Sequence, residues 1–236
     1  MGAKVYQYPA HRRRRGGRVT RETFDRDLLR LQEDVAAMGA RAGEAIHRAV
    51  AALADRDLVA AEVVIAEDEQ IDAVHMELEE RCMRLLATQQ PMARDLRTIA
   101  SVFAITIDIE RMADHAEGIS RATKRLGREP LVKPLVDIPK MDEIVQEMLR
   151  EALGAFRTHD ADRATRMAEK DDLVDSLRSK VFRDLLEIMI RDPATVPRAL
   201  ELVLIAQHLE RAADHITNVG ERVVYMVTGQ LRELNV

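Results

Sequence analysis

The chain has 236 residues, 47% of them hydrophobic and 33% charged, with no Trp and 3% aromatics, and its 36 basic against 41 acidic side chains give a net charge of −5. An aliphatic, charge-rich composition suits a helical protein of one or two domains; it argues against a β-sandwich, and its apolar fraction is too high for a disordered chain. The charge is uneven: residues 1–20 hold six basic side chains (Lys4, Arg12 to Arg15, Arg18) and no acid, so 30 basic residues face 41 acidic ones in the rest, a poor platform for nucleic acid.

The basic segment 1–20 reads as a flexible arm, with anionic lipid or nucleic acid as the other possible contact. Leu28, Leu31, Val35, Met38, Ile46, Val50 and Leu53 then follow three/four spacing and predict a helix over 22–54. Asp57 is a candidate N-cap for a helix over 57–88, with Val59, Val63, Ile71, Val74, Leu78 and Leu85 as its stripe. Pro91 separates this helix from a third over 92–126, marked by Val102, Ile105, Ile109, Met112 and Ile119. Three helices with short connections make a bundle. Cys82, the only cysteine, excludes an intramolecular disulfide, fits a reducing compartment, and reads as a small core residue. No targeting signal or membrane-length apolar run is present, so the expected location is cytoplasmic, with membrane contact only peripheral and through partners.

Gly127 and Pro130, Pro134 and Pro139 mark a connection, after which the pattern starts again. Asp57, Asp68 and Asp72 recur as Asp160, Asp171 and Asp175 at an offset of 103, and Ile109 to His115 recurs as Leu209 to His215 at an offset of 100. The slip falls near Pro91 and Pro193, where a loop absorbs it. The expected architecture is all-α: two tandem pseudo-symmetric three-helix bundles, at 21–128 and 140–236, joined by a linker at 129–139 and preceded by the arm at 1–20.

The best-matched part of the repeat is acidic. Glu110 and Asp114, and their counterparts Glu210 and Asp214, are four residues apart and so share a helical face. Asp68/Asp72 and Asp171/Asp175 form the same pairs on the preceding helices. Antiparallel packing would bring two pairs together in each half. Four converging carboxylates call for a cation or a proton, and carboxylate-only clusters suit hard cations such as Mg, Mn, Ca or ferric iron. A single such pair reads equally as a solvated face; recurrence at four matched places favours a metal. Arg111 and Arg211 are expected to pair with acids across helices, and His115 and His215 to be packed or hydrogen-bonded.

At Glu110-Arg-Met-Ala-Asp114-His and Glu210-Arg-Ala-Ala-Asp214-His-Ile-Thr-Asn218 the chain resembles the PhoU family of bacterial phosphate-signalling proteins, and Gln90-Pro-Met-Ala-Arg-Asp-Leu-Arg97 is similar to the family's segment opening the third helix. The resemblance covers nearly all of residues 22–229. It implies two three-helix bundles, a homodimer, and metal ions on these carboxylates, multinuclear iron in some members, with Zn as a further candidate beside Mg and Mn. It implies negative regulation of the phosphate regulon and phosphate uptake, by bridging the ATPase of the phosphate ABC transporter (PstB-like) and a sensor histidine kinase (PhoR-like), without catalysis. The first repeat departs from the pattern: Gly118 and Arg121 stand where Asn218 and Glu221 do in the second, with Glu117 as a substitute carboxylate.

Two other functions compete. A carboxylate-bridged ferritin-like oxidase would use Glu-x-x-His pairs. Glu44/His47 and Asp72/His75 offer acid-x-x-His spacing, but the second half has Glu143/Gln146 and Asp175/Arg178. A phosphotransfer module would use His115 or His215 as acceptor; no glycine-rich phosphate loop accompanies them.

Overall fold

The structure is a computed structural model that describes residues 21–89 and 91–234; the basic arm with Arg12 to Arg15 lies outside the described residues. The described chain forms seven α-helices and one 3₁₀ turn: α1 (Arg21–Asp55), α2 (Leu58–Gln89), α3 (Arg94–Leu126), α4 (Asp137–Thr158), α5 (Ala161–Ala168), α6 (Asp171–Arg191), the turn Pro193–Thr195 and α7 (Val196–Thr228). No strand occurs among the described residues, and no described helix is long and apolar enough to cross a membrane.

The periodicity of the sequence is the periodicity of burial. All seven stripe residues of α1 and all five of α3 are buried. In α2 the stripe is displaced at its start: Val59 and Val63 are exposed, and Ala61 and Val64 face the core instead. Asp57 caps α2 as its position implies, its Oδ1 accepting from the backbone N–H of Val59 at 2.9 Å and of Ala60 at 3.0 Å. Asp160 repeats the device on α5, accepting from Arg163 N–H at 2.9 Å.

Two differences from the expected plan stand out. The middle helix of the second repeat is interrupted at Glu169–Lys170, giving α5 and α6 where the first repeat has α2 alone. The interruption puts Asp171 and Asp172 in the first turn of α6, where the helix dipole favours carboxylates. Pro139 lies inside α4 rather than in the connection, because proline is tolerated in a helix's first turn. The connection itself is anchored: Leu131, Val132 and Leu135 pack on the core, and Lys133 bridges Asp137 and Asp184.

The repeats meet along two antiparallel helix pairs. On one side α3 crosses α7; on the other α1 crosses α4. Helix α2 flanks α1 and α3, while α5 and α6 flank α4 and α7. One hydrophobic core runs through both repeats. Close approach of α1 and α4 depends on Gly43: a Cβ there would lie 2.4 Å from Leu149 Cδ2. Gln146 uses the space to donate to the Gly43 carbonyl at 3.0 Å. Cys82 is buried in this core, and burial pushes its thiol pKa up to about 12, so it is a packing residue and not a nucleophile. Gly43→Val should overpack the α1–α4 contact and cost roughly 1–3 kcal/mol, measured as a lower midpoint in thermal unfolding.

Candidate functional site

In the first repeat, α2 and α3 run antiparallel with their acidic faces together. Asp68, Asp72, Glu110 and Asp114 converge as their spacing predicts, and Glu117 joins them. The Asp68 carboxyl is pushed up to about 6, first by burial and then by Asp72, Glu117, Asp114 and Glu110. Asp72 is raised by burial and by Asp114, and Glu110 by burial and by Asp114. One oxygen of Asp68 and one of Asp72 are buried without a hydrogen-bond partner. Arg111 relieves part of the crowding from within its own helix, reaching Asp114 at 2.9 Å and Glu110 at 3.4 Å. The expected pairing across helices is therefore replaced by one along α3, because the residues three on and one back are its nearest acids. Glu117 is paired with Arg121.

The second repeat repeats the plan with an additional internal cation. Glu210 is raised by burial and Asp214, and Asp214 by burial and Asp175. Asp171 is only 2% exposed, sunk into the first turn of α6, while Asp175 stays exposed. Arg178, which occupies the position of His75 in the repeat, meets Glu210 at 3.4 Å. Arg178 of α6 thus joins Arg211 of α7, the counterpart of Arg111, in offsetting the second set of acids. His75 in turn lies 3.4 Å from Glu79.

The donor set fits a hard cation: all oxygen, anionic, partly desolvated, with orphaned oxygens on Asp68 and Asp72. Among the described residues no three acid, histidine or cysteine groups already surround a common point at coordinating distance. A cation would be held only after these carboxylates turn toward it.

Between the two acidic sites lies a polar cluster that spacing alone does not reveal. His115, directly after Asp114, is buried at the α3–α7 crossing, its ring centroid 5.4 Å from that of His208 and 5.5 Å from that of His215. The Nδ1 atoms of His115 and His208 are 3.3 Å apart. Burial, followed by the neighbouring imidazoles and Arg211, depresses the His115 pKa to about 3, so it is neutral. At the pseudo-equivalent place His215 Nδ1 meets Asp108 Oδ1 at 3.0 Å, and Asn218 Nδ2 donates to the same oxygen at 3.1 Å. The offset of 100 aligns Asp108 with His208 and Gly118 with Asn218. A Cβ at Gly118 would lie 2.4 Å from the His208 ring. The glycine therefore makes room for an imidazole where the other half has a carboxylate and an amide. The unlike pair Asp108/His208 is the sequence signal for this cluster.

The two histidines of the ferritin-like alternative go to different interfaces. His47 meets Asp142 of α4 at 2.7 Å, while His75 faces α3.

Two outcomes follow. In chelator-treated protein, Asp68 holds its proton more tightly folded than unfolded, so stability falls as pH rises from about 4 to about 6 and stays lower above. Asp68→Asn removes that penalty: the midpoint at pH 7 should rise by about 2–4 °C and its slope between these pH values should flatten, checked by thermal unfolding across pH. Gly118→Asn alone should cost roughly 1–3 kcal/mol, and adding His208→Asp should recover much of it. A double-mutant cycle should give a coupling of about 1 kcal/mol or more.

Comparison with known proteins agrees with this layout. The PhoU domain model matches residues 35–123 and 138–223, one copy per repeat. The phosphate-specific transport system accessory protein PhoU homolog of Clostridium acetobutylicum is 37% identical over 218 residues, covering 92% of this chain and 100% of that protein. The homolog of the same name from Aquifex aeolicus is 39% identical, over 87% of this chain and 93% of its own length. Among solved structures, the phosphate transport system regulatory protein PhoU from Streptococcus pneumoniae superposes with a TM-score of 0.83 at 33% identity, covering 89% of this chain and 99% of that one. PhoU from Pseudomonas aeruginosa gives 0.84 at 35% identity, covering 88% and 100%. With both repeats matched by the family model and relatives aligned over most of its length, the chain belongs to the PhoU family.

Proposed function

We propose that this chain is a regulatory accessory protein of phosphate-specific transport that represses the phosphate regulon by linking the phosphate ABC transporter to a sensor histidine kinase. The observation that carries the reading is the match of both repeats to one family whose members are named as accessory or regulatory proteins of phosphate transport. Long helices flanking a shared core support an adaptor, since they offer extended faces to more than one protein. A homodimer and a cytoplasmic location belong to the same reading.

The carboxylates of Asp68, Asp72, Glu110 and Asp114, and of Asp171, Asp175, Glu210 and Asp214, would hold the metal ions. A bound cation would supply the positive charge that these crowded acids lack. Bare, the acidic surfaces repel a phosphate anion, so direct phosphate recognition has no support in the chain alone. The separation of His47 from His75 leaves the oxidase alternative without an observation in its favour.

The test is deletion of the gene followed by an alkaline phosphatase assay, or that of another phosphate-regulated reporter, in phosphate-replete medium. High activity that the wild-type gene represses again is expected. Activity that stays low would overturn the reading. In the deletion strain, Glu110→Gln with Asp114→Asn, and Glu210→Gln with Asp214→Asn, then show whether each acidic site is needed for repression.

A further inference from the structure

The two repeats place different side chains at one position beside their acids. His75 of α2 follows Asp72 by three residues and so shares its helical face. The offsets of 103 and 100 map the contact of Arg178 with Glu210 onto His75 and Glu110, which sets His75 at the Glu110 end of the first acidic site. His75 acts electrostatically on both Asp72 and Glu110. The first repeat thus has an imidazole where the second has a guanidinium.

The two nitrogens of His75 stand in unlike surroundings. Nε2 lies 3.4 Å from a carboxylate oxygen of Glu79, one turn further along α2. Nδ1 is buried and has no hydrogen-bond partner. The carboxylate favours the ring proton on Nε2, which leaves the lone pair on Nδ1. A buried acceptor that nothing satisfies is costly. An imidazole with one nitrogen against a carboxylate and the other bare has the arrangement of a metal-ligating histidine. One oxygen of Asp68 and one of Asp72 are orphaned in the same way, so three unsatisfied acceptors follow one another along α2. In the second repeat Arg178 offers donors only and a permanent charge, so it competes with a cation for Glu210.

We propose that His75 Nδ1 is a nitrogen ligand to the metal of the first acidic site and gives that site alone a preference for borderline divalent transition metals, such as Zn²⁺ or Co²⁺, over Mg²⁺ and Ca²⁺. Carboxylates by themselves accept any hard cation, whereas an imidazole suits Zn, Cu, Fe and Ni. Glu79 is the positioning residue, holding the tautomer that exposes Nδ1. The second site keeps carboxylates only and a fixed arginine, so it binds such ions more weakly. The inference rests on the reading of these carboxylates as metal-holding and adds to it one donor and a metal class.

The test titrates the full chain, freed of metal by a chelator, with Zn²⁺ and separately with Mg²⁺, by calorimetry. One tight Zn²⁺ site is expected, weakened about tenfold or more by His75→Gln and less by Glu79→Gln, with Mg²⁺ affinity changed by no more than about twofold. Long-range ¹H–¹⁵N spectra of the histidine rings, assigned with His75→Gln, should show His75 Nδ1 shifting on Zn²⁺ addition while Nε2 keeps its proton. If His75→Gln loses its helical spectrum, Arg178→His decides: a second tight Zn²⁺ site supports the proposal, and an unchanged titration overturns it. Zn²⁺ binding that needs Asp68, tested by Asp68→Asn, but is indifferent to His75→Gln overturns this inference and keeps the carboxylate metal site. Binding that His208→Ala abolishes and His75→Gln does not overturns it in favour of the histidine cluster at the crossing. Absence of Zn²⁺ and Mg²⁺ binding overturns both the inference and the metal reading beneath it.

Discussion

The acidic pairs and the histidine cluster are arranged about the antiparallel crossing of α3 and α7. Each of these helices carries an acidic pair on its outer face, and each sends the next residue, His115 or His215, into the crossing. There His115 packs on His208 and His215 bonds Asp108. Asp108 is bonded by both His215 and Asn218, and a shift of register would leave its carboxylate unpaired inside the contact. The register in turn fixes where Glu110/Asp114 and Glu210/Asp214 stand. The acidic surfaces are therefore held in place from behind, by residues directly following their own members in the sequence.

The duplication explains the shared plan, and divergence explains its asymmetry. Packing positions kept their character because a core tolerates little change in volume. Surface and interface positions drifted in compensated pairs: glycine opposite imidazole at 118 and 208, amide opposite carboxylate at 218 and 108. The second repeat keeps Arg211 where the first has Arg111 and adds Arg178 of α6 beside Glu210. The two sites thus share a carboxylate chemistry and differ in the fixed charge a bound ion would meet.

The helices were legible because long amphipathic stripes are a strong signal and because prolines marked their ends. The convergence of Asp68, Asp72, Glu110 and Asp114 was legible because repetition separated a conserved internal pattern from ordinary surface charge. The break at Glu169–Lys170 was not, since neither proline nor glycine marks it and the acids that begin α6 also occur, uninterrupted, in α2. Exposure of Val59 and Val63 was hidden because periodicity alone does not say which of two adjacent stripes turns inward. The histidine cluster needed the third dimension: Asp108 and His208 are unremarkable apart, and their meaning comes from what lies across the crossing.

The opening turn of α3 joins elements from both repeats. Asp95 in the first turn of α3 pairs with Arg21 of α1 at 2.7 Å. Two residues on, the Arg97 guanidinium lies against Gly229, the left-handed C-cap of α7, 3.6 Å from where a Cβ would stand. One short stretch therefore touches both the first helix of the first repeat and the last helix of the second. A single core runs beneath that contact, so the two repeats are expected to unfold in one transition, and a ligand held by either would then raise the melting point of both.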